Sequence, residues 1–372
     1  MPANNKQAVL FITDKAFVDY TIPGGVQVCT AEFITYLQKA DKLIKLVKVS
    51  PSPSLLVRIK AKLGLKDLEL YNVNKYLNEI VAAINNDNIK LVFFNQLNLS
   101  HWAIKIKEKV GAEVKFIGLS HGNESGDYLH EITNTLHTSV LQTWQLGKII
   151  VKEKIMFSKL LNGVVTISDN ETYIDQWLGA ANPLFLPRIL KPNFINWQPK
   201  ANTIGFVGTL NHLPNTAGIE LVAQQLKLSN FTGTFKIVGS PAQIGYELEK
   251  KYSFIQYCGV LNNDDLMHEA SSWSLFLNPV FWYARGSSTK LALGINWGIP
   301  IISTPAGTRG YDLHDRQFIT ANNTAKSFTQ MVLNTLSSAE LLGTVKQASV
   351  NNAQKFDVDV WAKKLLWYIN EL

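Results

Sequence analysis

The sequence contains little cysteine and no long hydrophobic run, and both absences restrict what the chain can be. Its 372 residues include two cysteines, Cys29 and Cys258, too few for a disulfide framework or a cysteine-based zinc site. No apolar run reaches the roughly 18–20 residues that a membrane-spanning helix needs. The polar first residues lack the layout of a secretory signal. We therefore expect a cytoplasmic protein.

Several catalytic and metal-binding motifs are missing as well. The chain has no GxSxG elbow, no HExxH helix and no P-loop, which argues against the hydrolases, metalloproteases and nucleotide hydrolases that use them. Its 7 histidines show no spacing typical of a metal site. We expect neither a metal nor a cofactor.

The charge balance is basic, with a formal net charge of +7. Such a balance is compatible with nucleic acid or an anionic membrane as partner. Nucleic acid is not expected, because no nucleic-acid-binding motif accompanies the charge. Residues 42–66 contain 7 basic residues and no acidic one, mixed with leucine, valine and isoleucine. This block is typical of a segment resting on anionic lipid, and the alternative is a solvated helix face beside a core-packing stripe.

Short apolar runs alternate with helical patterns along the chain. Such runs are typical of strands buried on both faces of a parallel sheet. They cover 8–13, 43–49, 91–94, 114–119 and 163–168 in the first half, and 204–208, 234–239, 255–259, 273–277 and 299–303 in the second. Four prolines between 183 and 199 separate the halves. The pattern predicts an α/β protein with a first domain at 1–185, a linker at 186–200 and a second domain at 201–355. The carboxyl ends of both sheets would border a cleft.

Seven segments of the second half, in this order and spacing, resemble one enzyme family. They are Gly205–Leu210, Pro214–Ile219, Phe235–Ser240, Ile255–Leu261, Asp264–Leu266, Gly286–Leu291 and Gly298–Gly307. The first half adds Pro23–Gln27 and Ser120–Gly122. Together they resemble the retaining nucleotide-sugar glycosyltransferases of family 4. The resemblance implies a GT-B fold, in which two Rossmann-like domains face each other across a cleft. It also implies that the C-terminal helix, 356–372, returns to the first domain, with Phe356 and Trp361 near the crossing.

The candidate site residues follow from residue chemistry and from this resemblance. Glycines let a backbone approach phosphate closely, which applies to Gly24, Gly25 and the Gly208-Thr209 pair. Hydroxyls, backbone N–H groups and one ammonium in 286–290 would form a diphosphate cradle, with Arg285 and Arg309 adding charge. Its members are Gly286, Ser287, Ser288, Thr289 and Lys290. The resemblance implies that Lys290 stabilises the departing diphosphate.

The resemblance assigns three further residues to the sugar and the acceptor. It implies that His121 contacts the transferred sugar. Glu124 and Asp127 are candidates for binding acceptor hydroxyls, and the alternative for each is a solvated loop residue. The family usually carries two glutamates eight positions apart around the lysine, and here those positions are Arg285 and Leu293. Leucine cannot accept hydrogen bonds from ribose, so donor binding must differ from the family pattern.

The predicted function is a metal-independent hexosyltransferase of polysaccharide biosynthesis that retains anomeric configuration. Family frequency places UDP-glucose first and GDP-mannose second as donors. The acceptor would be a saccharide or a lipid-linked saccharide, and the protein would contact the membrane peripherally through 42–66. Two alternatives remain open: a non-catalytic GT-B-like subunit that binds a nucleotide or a partner enzyme, and a nucleotide-sugar epimerase.

Overall fold

The computed structural model of the protein describes residues 6–21, 24–52, 54–62, 70–133, 138–282 and 285–372. The chain forms two compact units. The first extends to Arg188 and includes Asp357–Leu372, and the second comprises Ile189–Phe356. The segment predicted as a linker, 186–200, thus lies mostly in the second unit. There the backbone N–H groups of Asn193 and Ile195 donate to the carbonyls of Asn296 and Trp297.

The first unit alternates strands and helices. These are β1 (Gln7–Asp14), α1 (Gly25–Lys39), β2 (Lys42–Val49), α2 (Leu55–Lys62), α3 (Leu77–Asn86), β3 (Leu91–Phe94), α4 (Ala103–Val110), β4 (Lys115–Leu119), α5 (Glu124–Thr133), α6 (Val140–Ile155), β5 (Gly163–Thr166), α7 (Asp169–Trp177) and β6 (Leu184–Phe185). The strands form a parallel sheet in the order β2-β1-β3-β4-β5-β6. Residues 9–12 of β1 are fully buried, as expected of a strand covered on both faces.

The second unit repeats the alternation. Its elements are β7 (Thr203–Val207), α8 (Leu213–Leu228), β8 (Thr234–Val238), α9 (Ala242–Lys251), β9 (Ile255–Tyr257), α10 (Asn263–Ser271), β10 (Leu275–Asn278), α11 (Thr289–Trp297), β11 (Ile301–Ser303), α12 (Ala325–Leu336) and α13 (Ala339–Lys355). The sheet is parallel, in the order β11-β10-β7-β8-β9. A Cβ on Gly205 of β7 would overlap the Trp273 indole, so the core depends on a strand without a side chain there.

The last helix, α14 (Val358–Glu371), belongs to the first unit. It lies against α1, and Lys39 pairs with Asp359 at 2.6 Å. The Tyr368 hydroxyl accepts from the Val164 N–H at 2.9 Å. The Trp361 ring meets Phe185 edge-on, 5.8 Å between centroids. The first unit is therefore built from both ends of the described chain.

The basic block at 42–66 is divided between two elements of the first unit. Residues 42–49 form β2 at the edge of the sheet, where Lys42 donates to Gln7 at 2.6 Å and Lys45 pairs with Asp87. Residues 55–62 form α2, which exposes Leu55, Leu56 and Ile59. Lys66 lies outside the described residues. None of the helices in the described ranges is both long enough and apolar enough to span a membrane.

Candidate active site

A cavity of about 360 Å³ lies in the second unit at the carboxyl ends of β7 and β10. Strand order reverses there, because the chain builds β7, β8 and β9 outward and then places β10 on the other side of β7. Open parallel sheets bind ligands at such a switch point. The cavity collects nine of the predicted residues. They are Gly208, Thr209, Arg285, Ser287, Ser288, Thr289, Lys290, Leu293 and Arg309.

Lys290 is partly buried in this cavity, on the first turn of α11. Its ammonium donates to the Asn215 Oδ1 at 2.8 Å and lies 5.5 Å from the centroid of the Phe206 ring. Burial, followed by the nearby charge of Arg309, lowers the pKa of Lys290 to about 8. A cation held in this way is unstable relative to solvent until an anion binds beside it. The environment therefore favours binding of an anionic ligand.

Two arginines add positive charge to the cavity wall. Arg309 is buried, and its guanidinium donates to the Gly286 carbonyl at 2.9 Å and to the Ala306 carbonyl at 2.7 Å. Gly286 adopts a left-handed backbone, with φ of 69°, which favours glycine. Arg285 lines the same cavity. None of the described residues that line it is acidic, so its electrostatic preference is for anions.

Two helices begin at the cavity and direct their N-terminal ends toward it. α8 begins after His212, and α11 begins after Ser288. The first N–H groups of a helix have no partner within the helix, and they carry partial positive charge. The Ser288 hydroxyl donates to the Asn278 Oδ1 at 2.9 Å, which ties the start of α11 to the end of β10. At α8, Pro214 has no N–H and the Asn215 N–H donates to the His212 carbonyl at 2.9 Å, so that helix adds its dipole, and the backbone N–H groups near the anion come from the start of α11.

Gly208 makes a narrower contribution than predicted from the sequence. Its N–H donates to the Val238 carbonyl at 3.0 Å and is therefore already occupied. What Gly208 supplies is room for a neighbouring side chain, because a Cβ there would lie 3.2 Å from the Asn215 Nδ2. The Thr209 carbonyl accepts from the Asn215 Nδ2 at 2.8 Å. Asn215 thus links this loop to Lys290.

In the first unit, His121 lies after β4 in a cluster of polar side chains. The His121 Nε2 lies 2.9 Å from the Asn95 Oδ1. The Asn95 amide nitrogen donates to the Thr13 and Thr30 hydroxyls, each at 2.8 Å. Since the nitrogen of Asn95 is used in donation, its oxygen accepts, and the His121 Nε2 carries the proton. The Phe33 ring meets the imidazole edge-on, with centroids 5.6 Å apart.

The glycine loop of the first unit differs in form from the predicted strand-to-helix turn. A short 3₁₀ turn, Lys15–Val18, follows β1, and the Asp14 carboxylate caps it by accepting from the Ala16 N–H at 2.8 Å. Helix α1 starts later, at Gly25, with Gly24 as its N-cap. A Cβ on Gly24 would overlap the Gln27 side chain. Gly24 and Gly25 therefore open a helix but do not directly end the strand.

Glu124 and Asp127 are on the first turn of α5. Acidic side chains there interact favourably with the partial positive charge of the helix N-terminus. Behind this turn are three fully buried carboxylates, Glu153, Glu171 and Asp175. Glu153 accepts from the Glu124 N–H at 3.0 Å, and burial raises its pKa to about 7. Burial and the neighbouring Glu171 raise the pKa of Asp175. These carboxylates hold the N-terminal end of α5 in place.

Other parts of the molecule offer weaker sites. A larger hollow of about 750 Å³ in the second unit, bordered by α12, contains one cation, Lys326. It lacks the converging cations and helix ends of the cavity described above. Within the described ranges, no group of three or more histidine, cysteine, aspartate or glutamate side chains could hold a metal ion.

Sequence reasoning did not assign a role to Asn215 or Asn95, the partners of Lys290 and His121. Asn95 directly follows the buried strand β3 at the point where strand order reverses in the first sheet. That position could have identified it. Asn215 was part of a quoted motif, but its distance of 75 residues from Lys290 gave no sign of the contact.

Comparison with known protein families assigns the second unit to a more specific class than its fold alone does. Residues 201–338 match the family model described as Glycosyl transferases group 1. The second unit thus carries a group 1 glycosyltransferase domain, which agrees with the coarser part of the sequence prediction. No curated protein matches the chain.

Solved structures resemble the whole chain. The sucrose-phosphate synthase of Thermosynechococcus elongatus is 14% identical, with a TM-score of 0.68 over 98% of each chain. HepE of Anabaena, solved with UDP and glucose, is 10% identical, with a TM-score of 0.62 over 98% of this chain and 100% of that one. The lipopolysaccharide outer core galactosyltransferase WaaB is 12% identical, with a TM-score of 0.61 over 98% and 100%. These likenesses, with two parallel sheets and alternating helices, confirm the predicted α/β, two-domain GT-B fold.

Proposed function

Since the chain has the GT-B fold and a group 1 glycosyltransferase domain, we propose that it transfers a hexose from a nucleotide-diphosphate sugar to a saccharide acceptor. UDP-glucose is the first choice of donor and GDP-mannose the second. Transfer retains the anomeric configuration and needs no metal ion. The product belongs to polysaccharide biosynthesis.

The cationic cavity of the second unit is the observation that carries this proposal. Lys290, Arg285 and Arg309 are grouped there without an acidic neighbour among the described lining residues, and two helices begin at the same place. A diphosphate matches this set, because it offers several anionic oxygens to cations and backbone N–H groups at once. HepE, with the same fold, was solved with UDP and glucose.

The chemistry assigned to the cavity is stabilisation of the leaving group. The bond between the sugar C1 and the diphosphate oxygen breaks, and the acceptor hydroxyl oxygen forms the new bond to C1. The acceptor proton leaves with the nucleoside diphosphate. The Lys290 ammonium stabilises the charge that develops on the departing oxygen, with Arg285 as a second cation. Ser287 and Thr289 offer hydroxyl donors to the same group, and Ser288, whose hydroxyl already donates to Asn278, contributes through the backbone at the start of α11.

In this proposal the first unit binds the acceptor. His121, with its Nε2 proton held by Asn95, contacts the transferred sugar. Glu124 and Asp127, on the first turn of α5, bind acceptor hydroxyls. The acceptor is a saccharide, free or lipid-linked. The exposed Leu55, Leu56 and Ile59 of α2 support peripheral contact of block 42–66 with an anionic membrane that carries it.

Calorimetric titration with UDP, GDP and ADP tests the proposal first. We expect binding of UDP, and loss of turnover by roughly 100-fold or more in Lys290→Met. Lys236→Met is the matched control, since Lys236 pairs with Glu269 at 2.6 Å and does not line the cavity. The anomeric configuration of the product, by proton NMR, tests retention, and rates in chelator test metal independence. If none of the three nucleotides binds, the proposal that the protein is a glycosyltransferase is refuted.

Arg285 and Leu293 favour a second candidate, a non-catalytic subunit that binds a nucleotide. Both line the cavity at positions where the resembling family carries glutamates. Neither can accept the hydrogen bonds of a ribose or a sugar. The two candidates differ in one measurement, because a transferase slowly hydrolyses its donor without acceptor and releases free sugar. Conversion of the donor to an epimer would instead identify an epimerase.

A further inference from the structure

Helix α6 of the first unit carries an apolar stripe on its exposed face. The stripe consists of Val140, Trp144, Val151 and Ile155, with Leu141 beside its start, and each of them is at least 41% exposed. The spacings of four and seven residues place the four stripe residues on one side of the helix. Gln145, Ile149 and Glu153, at the same spacing, are buried. The helix therefore packs inward through one face and presents an apolar face outward.

The neighbouring helix α7 extends this exposed surface. Its Tyr173 and Trp177, one turn apart, are each 73% exposed. Both helices pack on the same buried cluster, α6 through Ile150 and α7 through Ile174. A Cβ on Gly179, just after α7, would meet the Lys154 ammonium. The C-terminal end of α7 therefore lies beside Lys154 of α6, and we refer to the exposed apolar residues of the two helices together as the α6–α7 face.

The charges of the α6–α7 face have one sign along α6. Lys148 lies within the stripe, with its ammonium 4.4 Å from the centroid of the Trp144 ring. Lys152 and Lys154 flank the stripe on its two sides. The single acidic residue of the helix, Glu153, is fully buried. On α7, Glu171 and Asp175 are buried as well, and the exposed Asp169 is at the far end of the helix from Trp177.

We propose that the α6–α7 face rests on an anionic phospholipid bilayer. Tryptophan and tyrosine favour the boundary between headgroups and acyl chains. Lysines beside them extend their ammonium groups to lipid phosphates. A helix with an apolar stripe and basic flanks lies in the plane of such an interface. A second copy of the chain fits less well, because a twofold contact through α6 would oppose its lysines to the same lysines.

This surface is distinct from block 42–66. The α2 helix follows β2 at one edge of the first sheet, whereas α6 and α7 flank β5 at the other side. The apolar stripe of α6 extends over about 22 Å, whereas the whole of α2 has 8 residues and is about 12 Å long. The α6–α7 face therefore offers the longer apolar surface for a bilayer.

Flotation of the full-length protein with vesicles tests the proposal and needs no enzymatic activity. One vesicle preparation is phosphatidylcholine alone, and the other is an equal mixture with phosphatidylglycerol. We expect binding to the mixture only. Lys148→Gln with Lys154→Gln should weaken it about 25-fold, since each cation near the surface contributes roughly fivefold. Trp144→Ser with Trp177→Ser should weaken it roughly tenfold or more.

Matched variants keep the test specific. Trp367→Ser removes a tryptophan that is 65% exposed on α14, and it should bind as the parent does. Thermal unfolding by circular dichroism confirms that each variant is folded. The proposal is overturned if the parent does not bind, or if Trp367→Ser weakens binding equally. It is also overturned if Leu55→Ser with Leu56→Ser abolishes binding while Trp144→Ser with Trp177→Ser leaves binding unchanged, or if the parent is a dimer that the Trp144→Ser change separates.

Discussion

The pKa of Lys290 leads to a quantitative prediction for nucleotide binding. Burial and the charge of Arg309 lower that pKa from 10.5 to about 8. A diphosphate binds the protonated ammonium, and once bound it holds the proton in place. Raising the pH from about 7 to 9 therefore deprotonates Lys290 in the unliganded protein. The protonated form, which binds the diphosphate, is then depleted. Lys290→Met, of similar length and without charge, lacks this titration.

The size of the effect follows from the position of the pKa. One unit below it about nine-tenths of the ammonium groups are protonated, and one unit above it about one-tenth. The affinity of the parent should therefore fall about tenfold between pH 7 and 9. The nucleotide has titrations of its own, but they are the same for parent and variant. The ratio of the two dissociation constants isolates the lysine.

The same ammonium affects stability with the opposite trend. Because the folded pKa is below the unfolded one, the unfolded chain binds more protons between about pH 8 and 10.5. Stability rises with pH across that window, and the full destabilisation is present below it. At about 1.4 kcal/mol per pKa unit, it reaches about 3 kcal/mol, from which loss of the Asn215 hydrogen bond subtracts about 1 kcal/mol. Lys290→Met should thus be about 2 kcal/mol more stable near pH 7.

Two measurements check these values. Calorimetric titration with UDP near pH 7, 8 and 9 compares the parent, Lys290→Met and the control Lys236→Met, which should follow the parent. Urea unfolding near pH 7 and pH 10 compares the stabilities. A ratio of dissociation constants that stays constant with pH would refute the role of the ammonium. A Lys290→Met protein that is less stable near pH 7 would refute the desolvation argument.

Three further predictions concern buried positions. Asn95→Ala should lower the free energy of unfolding by roughly 2–3 kcal/mol, because several buried polar atoms lose a partner; a loss under about 0.5 kcal/mol in urea would contradict the network. Gly205→Ala should cost more than about 2 kcal/mol through overlap with Trp273. Gly343→Ala, where a Cβ meets nothing, should instead be neutral or slightly stabilising. The pKa of Glu153 is raised to about 7 in the folded protein, against 4.5 as its ordinary value. The protein is therefore most stable with respect to this group below about pH 4.5, and it loses that stability as the pH rises through 7. Relative to the parent, Glu153→Gln should therefore gain stability between about pH 5 and pH 8, and a constant difference would disprove this.

The strands could be predicted from the sequence because a strand buried on both faces is a continuous apolar run. β1 and β3 agree with the predicted 8–13 and 91–94 to within one residue at each end. The exception is β6, a two-residue strand at Leu184–Phe185. It lies between Pro183 and Pro187, and closely spaced prolines are unfavourable in the interior of a sheet, so no strand is expected from the sequence there.

Helix α6 was not predicted, and its residue pattern shows why. A stripe of large apolar residues normally marks the buried face of a helix, but here the stripe with Trp144 and Val151 faces outward. The buried face includes Gln145 and Glu153, residue types that sequence analysis assigns to solvent. Both faces of α6 thus contradict the usual rule.

The candidate site was predictable where its residues are contiguous. Residues 285–290 form one loop and one helix start, so their placement in a single cavity follows from local chain direction. Contacts between distant polar residues, such as Lys290 with Asn215 or His121 with Asn95, produce no periodic signal in a sequence. They depend on which strands become neighbours, and only the fold determines that.

The return of α14 to the first unit has a consequence for how the protein is made. Residues 189–356, which form the second unit, are complete in the nascent chain before Asp357 is added. The first unit, although its sheet is synthesised first, lacks the helix that covers α1 until Val358–Glu371 has followed. At roughly 5–20 residues per second, it waits about 10–40 s with one side of α1 uncovered. The N-terminal half of this chain therefore cannot complete its fold until α14 has been synthesised, after the whole of the second unit.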